Sequence, residues 1–127
     1  MSSESPIQFE EDGFKYFKPA SYVRVRMNEN TYRTLDTKYD MRSIIHKIAE
    51  LIDETADRNN KKVNIIITVP LYNYLTLAKN VEVISNIARE DQLDLANHIK
   101  RELLAVGGYS VTINQECETH TTLEIFW

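Results

Sequence analysis

Cys117 and His120 stand three positions apart, flanked by Glu116 and Glu118. A Cys-x-x-His pair is half of a tetrahedral zinc site, and no second pair in the chain completes it. The flanking acids disfavour a thiolate, because nucleophilic cysteines need an electropositive setting. Glu90, Asp94, His98 and Glu102 recur every fourth residue. On a helix they form one row that could ligate a metal, but the row lacks the paired histidines of a helical zinc motif. A charged row at this spacing is ordinarily the wet face of a helix, and His46 with Glu50 repeats the pattern. No phosphate loop, dinucleotide fingerprint, Gly-x-Ser-x-Gly elbow or EF-hand is present. Gly107-Gly108 follows a helix rather than opening one, so it aims no helix N-terminus at an anion. No catalytic residue, metal or cofactor is expected.

The stretch from Lys15 to Arg26 is more provocative. Lys15, Tyr16 and Lys18 precede Tyr22, Val23, Arg24, Val25 and Arg26. Single-stranded nucleic acid is held by cations along its backbone and by aromatics under its bases. If Tyr22–Met27 is a strand, Tyr22, Arg24 and Arg26 share one face, which is the geometry such binding needs. Against this, the chain carries 15 basic and 19 acidic side chains, a net charge of -4. Nucleic-acid domains tend to a basic excess. The ordinary alternative is a solvated strand face, or an edge charged against aggregation.

The charge is segmented. Residues 1–14 carry a net of -4, residues 15–42 a net of +4, and residues 43–127 a net of -4. An acidic arm ahead of a basic segment on an acidic body suits attraction between neighbouring copies. Seven tyrosines and Trp127 add to that expectation, since aromatics are favoured in interfaces; core packing is the simpler use for them.

Several elements must position these residues. Residues 1–14 read as a flexible arm, with Phe9 and Phe14 as anchors around Glu10, Glu11 and Asp12. Residues 15–127 read as a single α+β domain. Its first element is the strand Tyr22–Met27, and residues 28–39 look turn-like. Met41–Asp57 is an amphipathic helix with Asp40 as N-cap and Asn59-Asn60 as its stop. Val63–Val69 is β-branched at six of seven positions and reads as a central strand, ended by Pro70. Leu71–Ala88 suits a helix, although Val81-Glu82-Val83-Ile84 alternates as a short strand would. Asp91–Val106 is a helix closed by Gly107-Gly108. Tyr109–Gln115 and Thr121–Trp127 alternate as a C-terminal β-hairpin that turns over Glu116–His120. The expected architecture is a two-layer sandwich, three helices on a mixed sheet of about four strands.

At 127 residues the chain is of single-domain size. Cys117 is its only cysteine, so no internal disulfide can form. No secretory leader, lipidation signature or bilayer-length apolar run is visible. A cytoplasmic protein is expected, with no membrane association.

The segment Asp91–Trp127 runs from a helix through Gly-Gly-Tyr-x-Val and a turn to Thr-Leu-Glu-Ile-Phe-Trp. It resembles the ending of small accessory and structural proteins of tailed phages and large DNA viruses. The resemblance implies a viral accessory or virion-assembly protein and carries over no catalytic residue.

The function expected is a non-enzymatic protein–protein assembly module. Phe9, Glu10, Glu11, Asp12 and Phe14 of one copy would dock on Tyr22, Arg24 and Arg26 of another copy or of a partner protein. A nucleic-acid-binding module using Lys15, Tyr16, Lys18, Tyr22, Arg24 and Arg26 is the alternative. A small enzyme with an unrecognised site is a third.

Overall fold

A computed structural model describes residues 17–69, 79–115 and 117–127. The chain divides into two compact units, Met1–Arg33 and Thr34–Trp127, and the division falls within the first helix. The arm and its anchors, Lys15 and Tyr16 lie outside the described residues, as do residues 70–78 and Glu116.

Helix α1, Ala20–Lys38, replaces both the expected strand Tyr22–Met27 and the expected turn after it. Its first amide bond runs from Val23 N–H to the Pro19 carbonyl at 3.1 Å. Neither glycine nor proline occurs between Ala20 and Lys38, so no breaker interrupts the helical ladder over that span. A short alternation does not outweigh nineteen residues free of breakers. The helix still buries only Leu35.

Helix α2, Met41–Asp57, begins two residues after Tyr39, where the Asp40 carboxylate accepts the Ser43 N–H at 3.1 Å as a side-chain cap. It buries Met41, Ile44, Ile48, Leu51, Ile52 and Thr55 in the expected stripe. Asn59 ends it at φ 61°, a left-handed conformation that asparagine tolerates better than most residues. Strand β1, Lys62–Thr68, follows. Beyond residues 70–78, the described part of the expected helix Leu71–Ala88 is instead strand β2, Val81–Ile84. Here period-two alternation prevails over the helical spacing. Helix α3, Arg89–Val106, starts two residues earlier than expected and ends at Gly107 and Gly108, both at positive φ. Strands β3, Ser110–Asn114, and β4, His120–Phe126, form the expected antiparallel pair.

The fold is α+β, with a four-stranded mixed sheet in the order β2-β1-β4-β3. β1 and β2 run parallel, whereas β4 is antiparallel to both β1 and β3. Period-two alternation sends Val63, Ile65 and Ile67 to one face, in register with Ile125, Leu123 and Thr121. All six are fully buried. Helix α2 lies against β1 and β2, and α3 against β4, β3 and β1. Burying each such aliphatic side chain stabilises the fold by about 1.5–3 kcal/mol. The opposite face is mixed: Ile66, Val83 and Phe126 alternate with Asn64, Thr122 and Glu124. There Lys62 pairs with Glu124 at 3.3 Å and lies over the Phe126 ring at 5.3 Å. Among the described residues, no helix is long and apolar enough to cross a membrane.

Candidate functional site

Among the described residues, four buried polar side chains, Thr68, Asp91, Gln92 and Thr121, gather at one edge of the sheet, while Thr55 is buried in the last turn of α2. Parallel pairing puts the C-terminal ends of β1 and β2 together, and antiparallel pairing brings the start of β4 beside them, Thr68 opposite His120. The Ile87 N–H reaches back to the Thr68 carbonyl at 3.0 Å, which turns the chain into α3 at the same edge. The crevice beyond the carboxyl ends of parallel strands is where α/β sheets commonly place ligands.

Asp91 lies in the first turn of α3 and is 7% exposed. The Tyr39 hydroxyl donates to its carboxylate at 2.6 Å and accepts the Ala88 N–H at 3.1 Å. Lys38 Nζ donates to both carboxylate oxygens, at 3.2 and 3.4 Å. These donors converge on Asp91 at the N-terminal turn of α3, the positive end of the helix dipole. Burial, and next the bond to Asp91, raise the Tyr39 hydroxyl above its ordinary pKa. Tyr39 therefore stays protonated at neutral pH and acts as a fixed donor. The cluster ties the residues just ahead of α2 to the start of α3.

Gln92, the next residue, is fully buried, and its whole amide is used. Nε2 donates to the Ile87 and Thr119 carbonyls at 3.2 and 3.0 Å. Oε1 accepts from Arg89 at 2.9 Å and from Thr121 at 3.0 Å. Arg89 also reaches Thr121 at 3.0 Å, and Gln115 donates to the same hydroxyl at 3.0 Å. A network saturated in this way fixes the turn ahead of β4, and the Gln92 amide keeps no spare donor for a substrate.

Cys117 lies beside this network, partly exposed, with Sγ 3.2 Å from the Thr119 hydroxyl. That hydroxyl is 3.3 Å from His120 Nδ1. The Thr119 hydroxyl and backbone N–H, together with the Arg89 charge, hold the thiol below its ordinary pKa despite partial burial. The sequence points the other way, because adjacent acids are legible there and folded hydrogen bonds are not. Among the described residues, no group of three His, Cys, Asp or Glu side chains could hold a metal. His98, in the acidic row of α3, is pushed below the usual histidine range by burial.

A second polar area lies on α1. Helical geometry parts the residues that a strand would align. Tyr22, Arg26 and Arg33 line one shallow cleft of about 350 Å³, and Arg24 is not part of it. The single-face platform of Tyr22, Arg24 and Arg26 expected for nucleic acid is therefore not formed. Lys18 lies 6.0 Å from the Tyr22 ring centroid, a cation–π distance. A different stripe, about a third of a turn round the helix, holds Ala20, Val23 and Met27, spaced i, i+3, i+7, with Arg24 at its margin. Val23 and Met27 are 44% and 62% exposed. Reading the segment as a strand hides this stripe, although the i, i+3, i+7 spacing is legible.

Trp127 is half-buried and its ring meets Tyr109 edge-to-face at 6.4 Å, while its backbone N–H donates to the Lys61 carbonyl at 3.1 Å. Comparison with protein-family models, with characterised proteins and with solved structures finds no match to this chain.

Proposed function

We propose that this chain is a non-enzymatic assembly module that associates with further copies of itself, with α1 as its docking element. One observation carries this reading. A nineteen-residue helix buries a single side chain, Leu35, while Tyr22, Val23, Val25 and Met27 all lie at least 44% exposed. A helix this polar and this exposed gains little from its own fold, and packing is the main source of helical stability in proteins. Tyr22 and Val25 line the cleft on α1 while Val23 and Met27 lie on another face, and large apolar side chains left in water on both faces mark an interaction surface.

The charge segmentation favours a second copy as the occupant. Residues 1–14 carry Glu4, Glu10, Glu11 and Asp12 with no base, and the cleft on α1 carries Arg26 and Arg33 against Glu29. The acidic segment of one copy, anchored by Phe9 and Phe14, docks on the basic face of α1 in its neighbour. The resemblance of Asp91–Trp127 to viral accessory proteins suggests a virion or its assembly as the setting. The saturated network around Gln92 favours an interaction role over catalysis.

Light scattering after size exclusion, at low and high salt, tests this. The expected mass is a multiple of 14.8 kDa that falls towards the monomer as salt screens the charges. Deleting residues 1–14 is expected to lower the assembly's mass at low salt. A 14.8 kDa species at every salt and concentration would overturn the proposal.

A further inference from the structure

Helices α2 and α3 leave an apolar groove of about 270 Å³ between them. Ile45, Ile48, Ile52, Leu103, Val106 and Tyr109 line it, and Val106 is 80% exposed. Among the described residues, the charged side chains of the lining are both acidic, Asp53 on α2 and Glu102 on α3. An apolar floor between two acidic walls fits an amphipathic helix with cations beside its apolar stripe, bound through anchors at i, i+3 and i+7. The exposed half of α1 has this composition: Ala20, Val23 and Met27 at that spacing, and Arg24 beside them. Around it are Lys18, Arg26 and Arg33 against the single acid Glu29.

We propose that the α2–α3 groove of one copy receives the Ala20–Met27 stripe of α1 from a second copy, with Arg24 meeting the acidic walls at Asp53 and Glu102. This rests on the self-assembly reading and names the surface that reading requires. The stripe and the cleft lined by Tyr22, Arg26 and Arg33 are different faces of α1, so groove docking and docking of the acidic segment are compatible. In a two-fold pair each copy supplies one helix and one groove, and the contact occurs twice.

The test exchanges charges between copies. One variant carries Arg24→Glu, and the other carries Asp53→Lys with Glu102→Lys; all three positions are exposed, so the core is untouched. Alone, each variant opposes like charges in the groove, and its dissociation constant is expected to rise about tenfold or more over the natural chain. In the mixture, the carboxylate introduced on α1 of one chain faces the two ammonium groups introduced into the groove of the other, while the reciprocal contact remains native. The mixture is therefore expected to form heterodimers at concentrations where each variant alone is monomeric. If the natural chain self-associates and the variants do so equally well, the groove proposal falls and the assembly reading stands. If the mixture stays as weak as its components, the pairing of Arg24 with the acidic walls is wrong. If the natural chain is monomeric throughout, both proposals fall together.

Discussion

Tyr39 occupies the junction between α1 and α2 with its hydroxyl committed twice, to the Asp91 carboxylate and the Ala88 N–H. Tyr39→Phe removes one oxygen and leaves both partners short of a bond in a partly buried setting. The expected cost is about 1–3 kcal/mol at neutral pH, read from denaturant unfolding of both proteins. The pH dependence has a definite sign. The folded-state pKa of Tyr39 is raised above the ordinary value of 10.0, so the unfolded chain loses that proton first as pH increases. The stabilisation is fully present below about pH 10 and is lost as pH rises through the folded value. The stability gap between the natural chain and Tyr39→Phe is therefore expected to narrow in alkali. A gap that stays constant to the alkaline limit would remove the ionisable hydroxyl from the account. Nothing in the sequence announces this pair, because Tyr39 and Asp91 are 52 positions apart. An acid in the first turn of a helix is legible on its own terms, but its partner is not.

At the scale of elements, legibility follows burial. Helix α2 is readable because its apolar residues recur along one buried stripe, and β1 because β-branched residues crowd a central strand. Helix α1 is not, since one buried residue in nineteen leaves no buried stripe, and the run Val23-Arg24-Val25-Arg26-Met27 also alternates as a strand would, masking the short i, i+3, i+7 spacing of Ala20, Val23 and Met27. β2 is short and mixed in burial, so its alternation competes with helical spacing on nearly equal terms. The join between α3 and β4 is invisible for another reason. It is made by Gln92 and Thr121, 29 positions apart and each unremarkable alone. Gln92→Leu tests how far that join holds the two elements together. The substitution keeps the volume but takes one bond each from Arg89, Thr121 and two carbonyls. Each group left short of a bond is expected to cost about 1–3 kcal/mol, so the variant should unfold at a much lower denaturant midpoint. Arg89→Met, with its guanidinium gone and Gln92 still bonded to Thr121, is expected to lose less. Equal losses would mean that the Gln92 amide holds the join only through Arg89, and that its bonds to Thr121 and the two carbonyls add nothing.

At the scale of the whole molecule, the two units differ in how their stability is supplied. Thr34–Trp127 contains the sheet, α2, α3 and an apolar core in which Met41, Val63, Ile65, Ile67, Leu123 and Ile125 are fully buried. Its central strands should open only with global unfolding. The segment from Ala20 to Arg33 has no comparable core among the described residues, and about fourteen residues of isolated helix are marginal in water. Under the assembly reading, the neighbour supplies the missing packing, and binding to the folded form raises local stability by mass action. Amide hydrogen exchange followed against protein concentration separates these contributions. Amides of β1 and β4 are expected to be strongly protected at every concentration. Amides of residues 20–33 are expected to exchange rapidly in dilute solution and to gain protection as concentration rises. Amides lining the groove on α2 and α3 should change less, because the core already holds those helices. High salt should reverse the gain on α1 if Arg24 and the acidic walls carry the contact. Protection of α1 that is high and independent of concentration would mean that the chain stabilises this helix without a neighbour, and the assembly reading would lose the observation that carries it.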